Sequence, residues 1–169
     1  MDETDREVGH MSKAACHDGD GVLHRAFSLF IFNRSGELLL QQRSSEKRLW
    51  PLYWSNSCCS HPRRGEAMDV ATHRRLSQEL GMTSDLEFLF KFQYQVPFKD
   101  LGSENELCSV FVGISDDPVL PNVNEIADHR WIPADQLNEE MTSQPDTFTP
   151  WFRMEWHEVS GLYREALGL

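Results

Sequence analysis

Two short runs in the sequence combine residue types that bind metals or move protons. They are Cys59-Ser60-His61-Pro62 and Glu104-Asn105-Glu106. A nearby metal or cation would lower the pKa of the Cys59 thiol and make it reactive, although free cysteine is also typical of an inert core position. In an extended segment, Glu104 and Glu106 project to the same face. These carboxylates then require a cation or a shared proton, unless they lie in a solvated turn.

Histidines elsewhere in the chain supply nitrogen ligands that would complete such a site. Three imidazoles and two carboxylates form a ligand set that suits Zn, Mn or another first-row divalent metal. The candidate ligands are His17, His24, His61, Glu104 and Glu106. We expect the remaining histidines to be surface residues or capped core residues.

Basic side chains have the charge needed to bind a phosphorylated substrate. Four precede the cysteine and a fifth lies on a predicted helix: Lys13, Arg43, Lys47, Arg48 and Arg75. Arginine forks and lysine charges bind diphosphates, and Glu79, on the same helix face as Arg75, would hold a bridging Mg²⁺. An ordinary salt bridge between Arg75 and Glu79, worth about 0.3–0.5 kcal/mol, accounts for that pair equally well.

The order of the predicted elements indicates the scaffold that positions these residues. Apolar alternation and turn residues predict a hairpin of strands at 24–32 and 37–42, followed by a helix at 66–80 that ends before Gly81. Further strands are predicted at 86–96, 107–114 and 130–132, and further helices at 133–137 and 150–167. A mixed sheet covered by helices, an α/β fold arranged as an α/β/α sandwich, fits this order.

Length and composition predict one globular domain. The chain has 169 residues, of which 40% are hydrophobic and 25% charged, values typical of a soluble protein with a single core. We expect residues 1–12 to form a flexible N-terminal segment and residues 13–169 to form the domain. No apolar stretch is long enough to span a bilayer, and the acidic N-terminus has no secretory signal, so we expect a cytoplasmic protein without a membrane partner.

The net charge and the cysteines argue against other classes of protein. A net charge of -11 opposes binding to nucleic acid, while a few local cations can still bind a small anion. The four cysteines include no CxxC pair, so we expect reduced thiols rather than disulfides or a zinc knuckle. No large apolar surface stripe is evident, which favours a monomer over a homodimer.

Several runs, taken in order, resemble one known family. They are residues 23–28 (LHRAFS), 37–43 (ELLLQQR), 54–62 (WSNSCCSHP), 65–66 (GE) and 104–108 (ENELC). The pattern is similar to the type I isopentenyl-diphosphate isomerases of the Nudix superfamily, and it extends from about residue 13 to residue 151. NSCCSHP and ENE are the specific part of this resemblance, which implies a single-domain, Nudix-like α/β/α sandwich.

The Nudix box implied by the resemblance lies at residues 60–82 and is degenerate. The positions that keep the pattern are Glu66, Arg74, Glu79 and Gly81. The positions that depart from it are Ser60, for a glycine, and Arg75 and Gln78, each for a glutamate. Nudix hydrolases use clustered glutamates to hold several Mg²⁺ ions. This helix is therefore better suited to gripping a diphosphate than to cleaving it.

The resemblance also implies a role for each candidate residue. The metal site would consist of His17, His24, His61, Glu104 and Glu106, with Mn²⁺, Zn²⁺ or Mg²⁺ as the ion. Glu79 would bind the Mg²⁺ that accompanies the substrate diphosphate, and that diphosphate would be contacted by Lys13, Arg43, Lys47 and Arg75. Cys59 and Glu106 would be the acid/base pair, with Tyr94 hydrogen-bonding near Glu106, and Trp151 would cover the isoprenoid tail.

The implied reaction converts isopentenyl diphosphate into dimethylallyl diphosphate in isoprenoid biosynthesis. An unactivated alkene is protonated at one carbon and deprotonated at another, so groups on opposite faces must give and take a proton. The face of Trp151 would stabilise the tertiary carbocation intermediate by about 2 kcal/mol. The sequence leaves open which of Cys59 and Glu106 donates first.

Two other functions are compatible with parts of the pattern. A Nudix hydrolase acting on a nucleoside or other diphosphate would require the full glutamate cluster, which Arg75 and Gln78 interrupt. A non-catalytic metal-binding or interaction domain on the same fold would have no use for Cys59, Glu106 and the diphosphate cations together. We therefore expect the isomerase.

Overall fold

The strands and helices follow one another in the predicted order. The computed structural model describes residues 1–2 and 4–162. The strands are β1 (His24–Phe32), β2 (Leu38–Arg43), β3 (Trp54–Ser55), β4 (Cys58–Ser60), β5 (Leu86–Pro97), β6 (Ser103–Ile114) and β7 (Ile126–Ile132). The helices are α1 (Lys13–Cys16), α2 (Met68–Leu80), α3 (Ala134–Ser143) and α4 (Pro150–Leu162), and a 3-10 turn spans Pro145–Thr147.

The hairpin of β1 and β2 forms around the predicted turn. Phe32 pairs with Leu38 in antiparallel orientation. Between them, the Asn33 side-chain oxygen accepts a hydrogen bond from the Glu37 N–H at 2.9 Å, and Gly36 adopts a φ of 79° that glycine allows without steric cost. These local contacts determine the register of the hairpin, and they confirm its prediction.

All seven strands form one mixed sheet. The main order is β3-β2-β1-β6-β5, with β4 paired to β1 and β7 paired to β2. β1 and β6 run parallel, starting with His24 opposite Glu106, whereas the other pairs are antiparallel. β4 pairs with the middle of β1, where Ser28 lies opposite Cys59. Residues of β4 and β6 therefore lie next to residues of β1, one strand on each side of it.

Helices cover both faces of this sheet. Strand alternation in β1 directs Leu29 into one core, where it lies with Leu76 of α2. The opposite face of β1 contributes Phe30 to a second core, with Phe152 and Trp156 of α4. Full burial of such a side chain stabilises the fold by about 1.5–3 kcal/mol. The predicted α/β/α sandwich is confirmed by these two cores.

The start of β6 differs from the prediction because of its partner strand. β6 begins at Ser103 rather than at residue 107, since β5 continues to Pro97 and pairs with Ser103 there. Glu104 and Glu106 therefore lie within a strand rather than at its mouth. Both side chains are still on one face of the extended chain, as the spacing predicts.

The helix boundaries also shift where side chains bind the backbone. α2 begins at Met68 rather than at residue 66, because the Glu66 carboxylate accepts hydrogen bonds from the Arg63 N–H at 2.8 Å and from Arg74 Nε at 2.6 Å. Gly81 ends α2 with a φ of 67°, as predicted.

The elements after α2 are longer than the sequence pattern indicates. β7 begins at residue 126 rather than at 130, and α3 continues to residue 143 rather than ending at 137. α4 agrees with the predicted terminal helix up to residue 162, and residues 163–167 of that prediction lie outside the described residues. No helix within residues 1–2 and 4–162 has the length and apolar character needed to cross a membrane.

Candidate active site

Neighbouring strands bring three of the predicted metal ligands to one place. In the parallel pair of β1 and β6, His24 lies directly opposite Glu106. β4 pairs with β1 on its other side and ends at Ser60, so that His61 follows it immediately. Glu106 Oε1 accepts a hydrogen bond from His61 Nε2 at 2.7 Å and lies 3.5 Å from His24 Nε2.

α1 positions the remaining histidine. His17 caps the C-terminus of α1, and its carbonyl oxygen accepts a hydrogen bond from the Ser103 N–H at 3.0 Å. This contact holds His17 beside Glu104, with His17 Nε2 2.7 Å from Glu104 Oε2. Each of the five predicted metal residues offers a ligand atom, and these atoms all lie within 4.8 Å of one another. The ligand set that suits a divalent metal is therefore assembled in the structure.

Two of the histidines direct unpaired nitrogen atoms into this cluster. Nδ1 of His17 lies 2.6 Å from the Lys13 carbonyl oxygen, and Nδ1 of His24 lies 2.6 Å from that of Val22. A carbonyl oxygen only accepts, so each Nδ1 donates its proton there, and Nε2 is the atom that each ring directs toward the carboxylates. His24 Nε2 and Glu104 Oε2 are buried without a hydrogen-bond partner among the described residues. Acceptors that face each other in this way fit a bound cation.

The two carboxylates of the cluster have different protonation preferences. Burial by itself raises the pKa of Glu106, but the neighbouring rings of His24 and His61 hold that pKa well below its ordinary value. Burial and the neighbouring Glu106 charge raise the pKa of Glu104. Burial lowers the pKa of His61 to about 4, which keeps this ring neutral, as metal coordination requires. The charge of Glu106 is therefore not offset by His61, the ring that donates a hydrogen bond to it.

A cavity of about 420 Å³ opens beside the cluster, within the size range of small-ligand sites. Its lining includes Cys59, Tyr94, Glu106 and Trp151. The rings of Tyr94 and Trp151 are buried and lie 6.3 Å apart between centroids. The Tyr94 hydroxyl donates to Glu106 Oε2 at 2.6 Å. These two rings therefore form an aromatic wall beside Cys59 and Glu106, two groups that can give or accept a proton.

Cys59 is the buried thiol of this cavity. Its Sγ donates to Asn56 Oδ1 at 2.8 Å and lies 3.4 Å from Ser28 Oγ. Burial raises the pKa of Cys59 to about 12, and the charge of Glu155 adds to the rise. Burial outweighs the neighbouring Arg43 charge, so the shift is opposite to the lowering that a metal or cation near Cys59 would cause. Cys59 and Glu106 thus have pKa values moved apart, a pattern typical of acid/base pairs.

Three of the predicted diphosphate residues line the same cavity. They are Lys13, Arg43 and Lys47. The Arg43 guanidinium donates from Nε to the Trp50 carbonyl oxygen at 2.9 Å, and its central carbon lies 5.2 Å from the Trp151 ring centroid. Burial and the charge of Lys47 lower the pKa of Lys13. Mutual repulsion of these cations favours a bound anion.

The other two predicted diphosphate residues lie on α2. Arg75 donates from Nε to Glu79 Oε1 at 2.9 Å, and Glu79 is 2% exposed. Neither residue lines the 420 Å³ cavity, and Arg75 instead faces a neighbouring, more open groove of about 1040 Å³. Glu125 connects the two regions because it forms ion pairs with both Arg75 and Lys47.

Comparisons with known proteins show the family of this chain. A NUDIX domain model matches residues 22–152. The chain is 44% identical over 161 residues to isopentenyl-diphosphate Delta-isomerase 1 of Photorhabdus laumondii, an alignment that covers 94% of this chain and 92% of that protein. The chain belongs to the isopentenyl-diphosphate Delta-isomerase family. A second family member, from Nocardia farcinica, is 36% identical over 169 residues, covering 99% of this chain and 97% of that one.

Solved structures share the fold of this isopentenyl-diphosphate Delta-isomerase family member. The crystal structure of DR0079 from Deinococcus radiodurans has a TM-score of 0.68 and 23% identity, and it covers 85% of this chain and 86% of that chain. The MutT NUDIX hydrolase from Burkholderia pseudomallei has a TM-score of 0.65 and 18% identity, with 82% and 98% covered. These similarities confirm the predicted Nudix-like fold.

Two carboxylates of this isopentenyl-diphosphate Delta-isomerase family member escaped the sequence analysis. Glu125 is half-buried between Lys47 and Arg75. Glu155 is fully buried on α4, where its Oε1 accepts from Cys108 Sγ at 3.5 Å and burial raises its pKa to about 8. A lone glutamate carries no local pattern, and the one available signal was the spacing of Glu155 four residues after the aromatic at position 151.

Proposed function

We propose that this chain isomerises isopentenyl diphosphate to dimethylallyl diphosphate, as a metal-dependent enzyme of isoprenoid biosynthesis. Its relatives are named isopentenyl-diphosphate Delta-isomerases. The observation that supports the proposal best is the pair Cys59 and Glu106, which line one cavity and have pKa values shifted in opposite directions. Such a pair offers one group that carries a proton and one that can accept a proton.

Proton transfer is assigned to Cys59 and Glu106. Moving the double bond requires addition of a proton at one carbon of the substrate and removal of a proton from another carbon. The thiol and the carboxylate reach the same cavity from β4 and β6, which lie on either side of β1. Tyr94 orients the carboxylate through its hydroxyl hydrogen bond to Glu106 Oε2.

The aromatic wall is assigned to the isoprenoid part of the substrate. A tertiary carbocation is captured by water unless the site excludes it. Trp151 is 3% exposed and lines the cavity beside Tyr94. An aromatic face that contacts a desolvated cation stabilises it by about 2 kcal/mol. Trp151 therefore both covers the apolar tail and lowers the energy of the intermediate.

The basic residues are assigned to the diphosphate. Lys13, Arg43 and Lys47 line the cavity, and Arg75 is linked to Lys47 through Glu125. In this proposal Glu79, beside Arg75, binds the Mg²⁺ that accompanies the diphosphate. Opposite charges supply the binding energy, while the carbon skeleton enters the aromatic part of the cavity.

A further divalent cation, Mn²⁺, Zn²⁺ or Mg²⁺, would be held by the cluster of His17, His24, His61, Glu104 and Glu106. When bound, such an ion supplies the positive charge that keeps its carboxylate ligands ionised and in position. The residues fit this ion because their buried acceptor atoms face one another. We further propose a cytoplasmic monomer whose partner is the small diphosphate, with neither nucleic acid nor membrane.

The proposal is tested by incubating the protein with isopentenyl diphosphate, Mg²⁺ and Mn²⁺ in D₂O. Dimethylallyl diphosphate should form and carry deuterium, as followed by NMR. Cys59→Ala and Glu106→Gln should each reduce turnover by about 10²–10⁴-fold without changing the circular dichroism spectrum. Cys58→Ala is the matched control, because that neighbouring thiol lies in the opposite core, and it should retain turnover.

Two results would contradict the proposal. Release of phosphate or pyrophosphate without isomerisation would indicate a hydrolase. Full turnover by Cys59→Ala would rule out the proposed acid/base pair.

A further inference from the structure

The four cations assigned to the diphosphate are held in two different ways. The Arg43 guanidinium donates to backbone carbonyl oxygens, and no described carboxylate forms an ion pair with Lys13. Lys47 and Arg75, in contrast, are each bound to a carboxylate. Arg43 and Lys13 can therefore bind an anion directly, whereas Lys47 and Arg75 already have an anionic partner.

Glu125 is the carboxylate that occupies both of these cations. Its Oε1 accepts from Arg75 Nη2 at 3.0 Å, and its Oε2 forms an ion pair with Lys47 Nζ. Arg75 Nη2 has two hydrogens and also donates to Glu79 Oε1, so this nitrogen is saturated. A diphosphate oxygen can bind Arg75 Nη2 only by displacing one of the two carboxylates.

The backbone holds Glu125 in place beside these cations. Its carbonyl oxygen accepts a hydrogen bond from the Ser44 N–H at 2.9 Å, where the loop that carries Lys47 begins. The next residue, Ile126, pairs with Arg43 between β7 and β2. These backbone contacts therefore hold Glu125 next to Lys47, Arg75 and Arg43.

Glu125 also keeps its negative charge. Burial by itself raises its pKa, but the hydrogen bond and charge of Lys47, together with Arg75, lower that pKa to about 2. An anion that approaches Lys47 or Arg75 therefore meets a competing carboxylate and its repulsion.

We propose that Glu125 is a resident counter-ion that competes with the diphosphate for Lys47 and Arg75 and so weakens retention of the product. The inference rests on the proposed diphosphate site. Without Glu125, the four cations would bind substrate and product alike more tightly, and such uniform binding does not accelerate the reaction. Glu125 lets the cations attract the diphosphate and then regain a partner when it leaves.

Calorimetric titration of the full chain with inorganic pyrophosphate and Mg²⁺ tests this role. Glu125→Gln keeps the size of the side chain and removes its charge. It should bind pyrophosphate about five- to tenfold more tightly at low ionic strength, and the difference should shrink at about 0.5 M salt. The KM for isopentenyl diphosphate should fall, while kcat should not rise.

Two further variants distinguish the effect of the local Glu125 charge from the effects of side-chain packing and of the net charge of the protein. Glu125→Asp retains the negative charge, so its affinity for pyrophosphate should lie between those of the wild type and Glu125→Gln. Glu140→Gln breaks a similar ion pair, with Arg130, and changes the net charge equally. This control should bind pyrophosphate as the wild type does.

The possible outcomes are distinct. Unchanged affinity in Glu125→Gln would overturn the inference, and weaker binding would overturn it by showing that the carboxylate only positions the cations. Absence of pyrophosphate binding by the wild type would refute the proposed diphosphate site and the inference with it. Tighter binding by Glu125→Gln alone would support competition.

Discussion

The cavity adjoins a histidine and glutamate end and a basic end, which extends beyond the cavity to Arg75 on α2, and these two ends balance their charges in opposite ways. At the histidine and glutamate end, His24 Nε2 and Glu104 Oε2 are buried without a hydrogen-bond partner among the described residues. At the basic end, Glu125 and Glu79 share the donors of Arg75, and Glu125 also pairs with Lys47. At the first end the charge of Glu106 is not offset by the neutral His61, whereas at the second the charges of Lys47 and Arg75 are offset by carboxylates.

This difference indicates how each end responds to a ligand. A cation entering the histidine and glutamate end would replace the hydrogen bond from His61 Nε2 to Glu106, and its binding to the native state would stabilise the fold. An anion that binds Lys47 or Arg75 must compete with an existing carboxylate, so the net binding energy from these two cations is smaller. The first end is therefore suited to a resident ion and the second to a ligand that comes and goes.

Removal of the divalent cation should have the largest effect. Dialysis against a chelator should reduce turnover by about 10³-fold or more and lower the Tm, since a ligand of the native state stabilises it. His24→Ala should lose bound metal, as measured by elemental analysis. The exposed His73→Ala on α2 is the matched control and should retain it. A chelated protein with full turnover and unchanged Tm would show that the cluster does not need a cation.

Substitution of Glu155, whose carboxyl group belongs to neither polar end, should produce the next largest effect. Burial raises its pKa to about 8, so the folded protein binds more protons than the unfolded chain between about pH 5 and pH 8. Stability contributed by this group is present below that window and is lost as pH rises through it. The wild type should lose up to about 1.4 kcal/mol per pH unit relative to Glu155→Gln.

Urea denaturation at several pH values measures this difference. Glu158→Gln, an exposed glutamate on the same helix, should follow the wild type at every pH. Parallel pH profiles for the wild type and Glu155→Gln would mean that Glu155 is ionised in the folded protein.

Glu104→Gln should change stability in opposite directions with and without metal. Without metal, the substitution removes a buried like charge beside Glu106 and should raise the free energy of unfolding by about 1 kcal/mol. With metal, it removes an anionic ligand and should lower that free energy by about 1–3 kcal/mol. Denaturation curves recorded with chelator and with Mn²⁺ provide the comparison. A change of the same sign in both conditions would contradict these roles of the Glu104 charge.

Lys47→Met should have the smallest effect of the four. Because Lys47 is already paired with Glu125, its loss should raise the KM for isopentenyl diphosphate by only about three- to tenfold and leave kcat unchanged. Steady-state kinetics measures both constants. Lys99→Met changes the net charge equally in the exposed turn after β5 and should leave the KM unaltered. A loss of kcat would place Lys47 in the chemical step instead.

Much of the scaffold and part of the site were predictable from short-range patterns. The hairpin followed from the Asn33–Gly36 turn, and the end of α2 followed from Gly81, because each depends on the backbone preferences of a few residues. The shared face of Glu104 and Glu106 followed from strand periodicity alone. His17 and His24 were named as ligands because imidazoles complete such a site, and the family resemblance implied the same role, although no local spacing connects them to the glutamates.

The remaining features depend on contacts between distant parts of the chain. The pKa of Cys59 could not be predicted, because its direction depends on burial under α4 and on Glu155. The two partners of Glu125 come from a loop and from α2. His17 Nε2 and Glu104 Oε2 face each other only because the fold brings α1 beside β6. The sequence by itself determined the residue types, the elements and the family. Tertiary packing decided which charges are paired, because desolvation and pairing act only on groups that the fold has brought together.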